Sequence, residues 1–175
     1  MRRMRLLMVI GLLVMLPALA SAAETTITTK GLVLIDMAGK KAPLDTLVTK
    51  GPVVLSFWAT WCGPCRLEMP QLQKIYEELG PKGIQFCAVS LDRGMSSTAL
   101  GQYLQRGKLT LPVYRDETGT LAKAFGVTAI PSIFVFAKGG TLYHQTKGYR
   151  PGDEVLLKKK LEGLLPADAK SKSTK

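Results

Sequence analysis

Val53-Val54-Leu55-Ser56-Phe57-Trp58-Ala59-Thr60-Trp61-Cys62-Gly63-Pro64-Cys65-Arg66 is the stretch on which the fold turns. Its first six residues are β-branched, aromatic or aliphatic apart from Ser56, the composition of a buried strand. From Arg66 to Leu79, Leu67, Leu72, Ile75, Tyr76 and Leu79 recur at helical spacing and are expected on one face. Between strand and helix lie two cysteines three residues apart. A Cys-x-x-Cys pair in that setting reads as a redox motif.

The chemistry follows from the spacing. Residues i and i+3 share a helix face, so the two sulfurs can bond without moving the backbone. Cys62 stands before or at the first helical position, where the helix dipole and unpaired N–H groups favour a thiolate. Such settings lower a thiol pKa from ~8.5 to ~3.5–7.5. Cys62 is therefore read as the attacking nucleophile, and Cys65, one turn inside, as the resolving thiol. A purely structural bridge of this spacing would close a tiny loop and remove little chain entropy. Zinc would need a second ligand pair, and only Cys87 and His144 remain, so no metal is expected.

The N-terminus reads as an export signal at residues 1–22. Arg2, Arg3 and Arg5 precede an apolar run from Leu6 to Leu19, and Ala20-Ser21-Ala22 is a small-x-small cleavage site. The rival is a retained membrane anchor, but a span needs about 20 apolar residues, and this run is short and broken by Gly11 and Pro17. Export places the cysteines in an oxidising compartment, with a bacterial periplasm as the expected destination. Net charge is +11, and loss of the three leader arginines leaves +8. Much of the excess sits in Lys158-Lys159-Lys160 and at Lys170, Lys172 and Lys175, without interleaved aromatics, so no nucleic-acid partner is expected.

The 175 residues suit one domain, placed at 31–165 between a flexible segment at 23–30 and a basic flexible tail at 166–175. Strands are expected at Leu32 to Asp36, Val53 to Trp58, Ile84 to Leu91 and Pro112 to Arg115. A hairpin follows, Ser132 to Phe136 and Thr141 to Lys147, turned by Lys138-Gly139-Gly140. Helical segments are expected at Pro43 to Thr49, Arg66 to Leu79, Ser96 to Gln105, Thr118 to Phe125 and Asp153 to Leu164. The class is α/β: a central mixed sheet, mostly parallel with an antiparallel hairpin at its end, and helices on both faces.

Phe57-Trp58-Ala59-Thr60-Trp61-Cys62-Gly63-Pro64-Cys65-Arg66-Leu67-Glu68-Met69-Pro70 resembles the active site of the thioredoxin superfamily, most closely the exported TlpA/ResA-like thiol-disulfide oxidoreductases. Phe125-Gly126-Val127-Thr128-Ala129-Ile130-Pro131-Ser132 resembles the family's cis-proline segment. The resemblance implies a thioredoxin-like fold in which Pro70 kinks the active-site helix, Trp61 flanks an exposed sulfur and Trp58 packs beneath it. It makes Pro131 the cis-proline and Ile130 a donor of backbone hydrogen bonds to an extended substrate, a form of strand addition. Trp61, Gly63 and Pro64 complete the implied substrate surface. The implied partners are a disulfide-bearing protein, apocytochrome c among them, and a membrane thiol donor of the DsbD or CcdA type. The chain is expected to act as a monomer, with no cofactor beyond its own Cys62–Cys65 disulfide.

Two residues depart from better-known members. Cytosolic thioredoxins carry a buried Asp at the position of Ser56, with a Lys partner in the next strand, and Ile84 to Leu91 holds no lysine. Glu68, three residues after Cys65 and matched by an acidic residue in ResA-like proteins, is the candidate replacement for moving the Cys65 proton. The alternative is a solvated helical glutamate. Ser132 stands where reductases of the CcmG type carry an acidic residue, which weakens apocytochrome c as the target. Cys87 reads as a buried strand thiol, with a regulatory disulfide as its alternative, and His144 as a hairpin surface residue.

These features favour an exported reductase, from the Gly63-Pro64 pair and the leader. An oxidase or isomerase would share the fold. A non-catalytic protein holding thiols, haem or copper is the third possibility, and for copper Met69 is the one further soft ligand near the pair. No Thr-x-x-Cys peroxidatic motif is present, which argues against a peroxidase.

Overall fold

A computed structural model describes residues 27–166. The expected leader at 1–22 and the tail after Pro166 lie outside the described residues. The chain runs β1 (Val33–Asp36), β2 (Lys41–Pro43), α1 (Leu44–Lys50), β3 (Val53–Trp58), α2 (Gly63–Leu79), β4 (Gln85–Ser90), α3 (Ser97–Arg106), β5 (Val113–Arg115), α4 (Thr120–Ala124), β6 (Ser132–Phe136), β7 (Leu142–Lys147) and α5 (Asp153–Gly163). A single 3-10 turn at Gly80–Lys82 closes α2. The expected elements are all found to within a few residues, and β2 is additional.

The seven strands form one sheet in the order β2-β1-β5-β4-β3-β6-β7. All six residues of β3 are buried, because both faces of this strand are covered. Val54 and Trp58 point to one face, where α2, α3 and α5 contribute Cys65, Met69, Leu72, Leu100, Leu157 and Leu161. Val53, Leu55 and Phe57 point to the other, against Leu44 and Val48 of α1, Leu121 of α4, and Phe125. Phe57, Phe125 and Phe134 pack with ring centroids 5.1–5.8 Å apart; each such pair contributes about 0.5–1.5 kcal/mol beyond its buried area. Leu67 does not join the apolar stripe of α2; it is exposed, since five residues along a helix is 140° from Leu72.

The expectation of a mostly parallel sheet is corrected. Only β3–β4 and β4–β5 are parallel; β1–β2, β1–β5, β3–β6 and β6–β7 are antiparallel. The length of α4 explains the reversal at β6. Its five residues rise about 7.5 Å, less than half of the roughly 17 Å that a five-residue strand spans. The chain leaving the top of β5 therefore never regains the bottom of the sheet. It turns at Gly126, whose φ of +60° suits glycine, and enters β6 from the top. That reversal delivers the Ile130-Pro131 loop to the same sheet end from which β3 runs into the two cysteines.

Of the lead-in expected at 23–30, residues 27–30 are described and form no helix or strand. Ile27 packs against the α1/α4 core and Thr29 is buried. Among the described residues no helix is long and apolar enough to cross a membrane.

Candidate active site

The backbone leaves β3 at Trp58, turns through Ala59-Thr60-Trp61, and starts α2 at Gly63. Cys62 is the N-cap: its sulfur accepts the Cys65 N–H at 3.2 Å. Pro64 fits the first turn, where a missing N–H costs nothing. Cys62 and Cys65 are joined in a disulfide, with Cα atoms 5.3 Å apart. Sequence reasoning expected an exposed Cys62 sulfur. Instead Cys62 is only 5% exposed and Cys65 is fully buried. The cause is the re-entry of β6: the Cys62 sulfur lies 3.7 Å from the Ile130 carbonyl oxygen. Trp61 beside it is 69% exposed, whereas Trp58 is buried in the same core cluster as both cysteines and packs on Tyr103 at 5.8 Å.

Ile130-Pro131 is a cis peptide. The register Phe57↔Ser132 brings this loop level with the exit of β3. Two bonds hold it: Ser132 Oγ donates to the Ala129 carbonyl at 2.7 Å, and the Gly148 N–H donates to the Pro131 carbonyl at 2.7 Å. Trp61, Gly63, Pro64, Ile130 and Pro131 are thus brought to one end of the sheet. Gly63 and Pro64 are exposed, Ile130 is partly covered and Pro131 is buried.

Glu68 follows Cys65 by one turn and is only 5% exposed. The Ser56 hydroxyl donates to its Oε2 at 3.4 Å. Burial pushes the Glu68 carboxyl up to about 8; the Ser56 bond opposes this and the Asp153 carboxylate adds to it. The alternative of a solvated helical glutamate is excluded by this burial. Beside it is a cavity of about 20 Å³ bounded in part by Leu72, Ile133, Tyr149 and Asp153, enough for about one water molecule.

Asp92 was not singled out from sequence, yet it fixes the turn that carries the cysteines. Its Oδ1 accepts the Thr60 hydroxyl at 2.7 Å, and its carboxylate also accepts the Thr60 N–H at 3.1 Å. Ser90 Oγ donates to Oδ2 at 2.8 Å. The register Trp58↔Ser90 sets Asp92 beside Thr60. The available signal was its position: an acid just past the C-terminal end of a predicted central strand, where open α/β sheets place their sites.

Cys87 is a free thiol buried in β4. Burial pushes it up to about 12, partly offset by a hydrogen bond with Tyr114. His144 lies on β7, partly covered, with its pKa lowered by burial and by Lys160. Met69 lies on the buried face of α2, which removes it as a ready copper ligand. Among the described residues no group of three or more His, Cys, Asp or Glu could hold a metal ion.

A disulfide that spans a helix N-cap, lies against a cis-proline loop and sits at the end of a mixed sheet defines a thioredoxin-like thiol-disulfide oxidoreductase. The chain belongs to the AhpC/TSA family, which matches residues 22–145. It is 32% identical over 123 residues to the thiol-disulfide oxidoreductase ResA of Bacillus thuringiensis subsp. konkukian, covering 70% of this chain and 69% of that relative. Among solved structures it resembles a putative thiol:disulfide interchange protein DsbE from Chlorobium tepidum, with a TM-score of 0.71, 28% identity, and coverage of 81% of this chain and 97% of that one. StoA from Bacillus subtilis shares the fold, with a TM-score of 0.62, 22% identity, and coverage of 74% and 94%.

Proposed function

We propose that this enzyme is exported by its 1–22 leader and works as a reductase, passing electrons from a membrane thiol donor to disulfides of other exported proteins. The observation that carries this reading is the Cys62–Cys65 pair at the mouth of α2, separated by Gly63-Pro64 and set against Ile130. In the dithiol state the Cys62 thiolate attacks one sulfur of the target disulfide and expels the other as a thiolate, which takes up a proton. Cys65 then attacks Cys62, closes the Cys62–Cys65 disulfide and releases the second target thiol. Two electrons and two protons pass to the target in all.

Glu68 is assigned the proton that Cys65 must lose and regain. Near neutral pH its raised pKa keeps it protonated in the oxidised enzyme. When the donor attacks Cys62, Glu68 gives that proton to the departing Cys65 thiolate. When Cys65 later closes on Cys62, the Glu68 carboxylate takes it back. Trp61, Gly63, Pro64, Ile130 and Pro131 form the ledge along which an extended target segment lies. A DsbD- or CcdA-type protein fits the role of donor. Apocytochrome c is one candidate target, although Ser132 replaces the acid of the CcmG type.

Equilibration with glutathione buffers tests the direction. A potential below about −230 mV is expected, and one near −120 mV identifies an oxidant instead. Cys65→Ser is expected to trap a mixed disulfide through Cys62. Full target reduction by Cys65→Ser with no trapped species would overturn the assignment of the two sulfurs.

A further inference from the structure

Beside Pro64 the loop from β7 into α5 borders a groove of about 560 Å³. Its charges are not balanced. Lys147 and Arg150 line it, are exposed, and take part in no ion pair among the described residues. One exposed acid, Asp153, lines the same groove, leaving two cations to one carboxylate, and both acids nearby accept bonds from the loop itself. Asp153 Oδ2 accepts the Arg150 N–H at 2.8 Å, and Glu154 Oε2 accepts the Tyr149 hydroxyl and the Gly152 N–H, each at 2.8 Å. The lining also has an apolar side: Pro64 at one end and Leu156, which is 56% exposed, on α5. The groove is continuous with the reactive end, since Pro64 lies between the cysteines and Gly148 of the same loop bonds the Pro131 carbonyl.

We infer that this groove docks the acidic flank of a disulfide-bearing target, with Lys147 and Arg150 receiving its carboxylates and Pro64 and Leu156 its apolar side chains. The inference rests on the proposed reductase activity and names the substrate class it prefers. Free cations beside a reactive centre raise the encounter rate with oppositely charged partners, and they discriminate against like-charged ones.

The test uses two synthetic peptides with the same internal disulfide, flanked by Asp and Glu in one and by Lys in the other. Stopped-flow kinetics with the reduced protein at low salt should show the acidic peptide reacting about tenfold faster. The advantage should vanish near 1 M salt, where charges are screened beyond about 3 Å. It should be lost or inverted in a Lys147→Glu/Arg150→Glu variant. It should survive Lys50→Glu/Lys82→Glu, which changes net charge equally at the opposite end of the sheet. Equal rates for the two peptides, or equal loss in both double variants, would overturn the proposal. So would binding to phosphatidylglycerol vesicles that depends on Lys147 and Arg150 while the peptides react alike, because the cations would then serve a lipid surface. Reduction of bis(2-hydroxyethyl) disulfide, small and neutral, separates the two ideas. If the protein cannot reduce it, the reductase reading has failed, and peptide binding read from Trp61 fluorescence then decides the docking proposal by the same comparison.

Discussion

The Ser56 hydroxyl on β3 reaches Glu68 Oε2 on α2 at 3.4 Å, a long bond that does not offset the burial of the carboxyl. The result is a group raised from 4.5 to about 8, with a defined consequence for stability. Between those two values the folded chain keeps a proton that the unfolded chain has released. Stability therefore falls as pH rises through this window, and the full cost is reached above about pH 8. At about 1.4 kcal/mol per unit the total is on the order of 3–5 kcal/mol. Glu68→Gln should remove most of this slope and be the more stable protein at pH 9, by urea unfolding of the oxidised form. Parallel pH profiles for the two proteins would show that Glu68 ionises normally.

Asp153 contributes to the same shift, but burial dominates it. Asp153→Asn should therefore lower the Glu68 titration midpoint by less than about one unit and leave it well above that of a free glutamate. A carboxyl-carbon NMR titration reads this directly. A midpoint falling to about 4.5 would mean that charge repulsion, rather than desolvation, holds the proton.

The parts of the site written in local sequence were legible from it. Strand, cysteines and helix are contiguous, so Cys62 and Cys65 could be ordered by helical spacing alone, while Glu68 needed that spacing together with the resemblance. Ile130 and Pro131 were placed by resemblance, because nothing local shows that a loop 65 or more residues downstream returns to the cysteines. That return depends on α4 being too short to recross the sheet, which is a property of length and direction rather than of residue type. The same blindness explains the sheet: alternating strands and helices suggested parallel crossovers, and four of the six pairings proved antiparallel. Asp92 was missed because its partner, Thr60, is 32 residues away and only the β3–β4 register joins them. The burial of Cys62 was missed for the same reason as the position of Ile130.

Asp92 holds the backbone of the turn before Cys62, so its effect should appear in reactivity before stability. Asp92→Ala leaves the half-buried Thr60 N–H without its acceptor, at a cost of about 1 kcal/mol. The reduced variant should react more slowly with a small neutral disulfide, and the pKa of Cys62, followed by thiolate absorbance, should rise as the N-cap geometry loosens. Asp92→Asn retains an acceptor oxygen and should recover much of both losses. A variant that is destabilised but has an unchanged Cys62 titration would confine Asp92 to folding.

Cys87 provides an internal contrast with Cys62, because the same chemical group meets opposite surroundings. Held at about 12 by burial within β4, it is a thiolate in only about one molecule in 10⁴ at pH 8. Iodoacetamide should leave it unmodified in the oxidised native protein and label it at a rate set by unfolding, so the rate should climb with urea. Cys87→Ala should leave the potential of the Cys62–Cys65 pair unmoved while lowering stability by roughly 1–2 kcal/mol for the lost buried sulfur. Rapid labelling without denaturant, or a disulfide-linked species that disappears in Cys87→Ala, would instead make this thiol a participant in exchange. Its burial at the centre of the sheet, away from the mouth of α2, argues against that role.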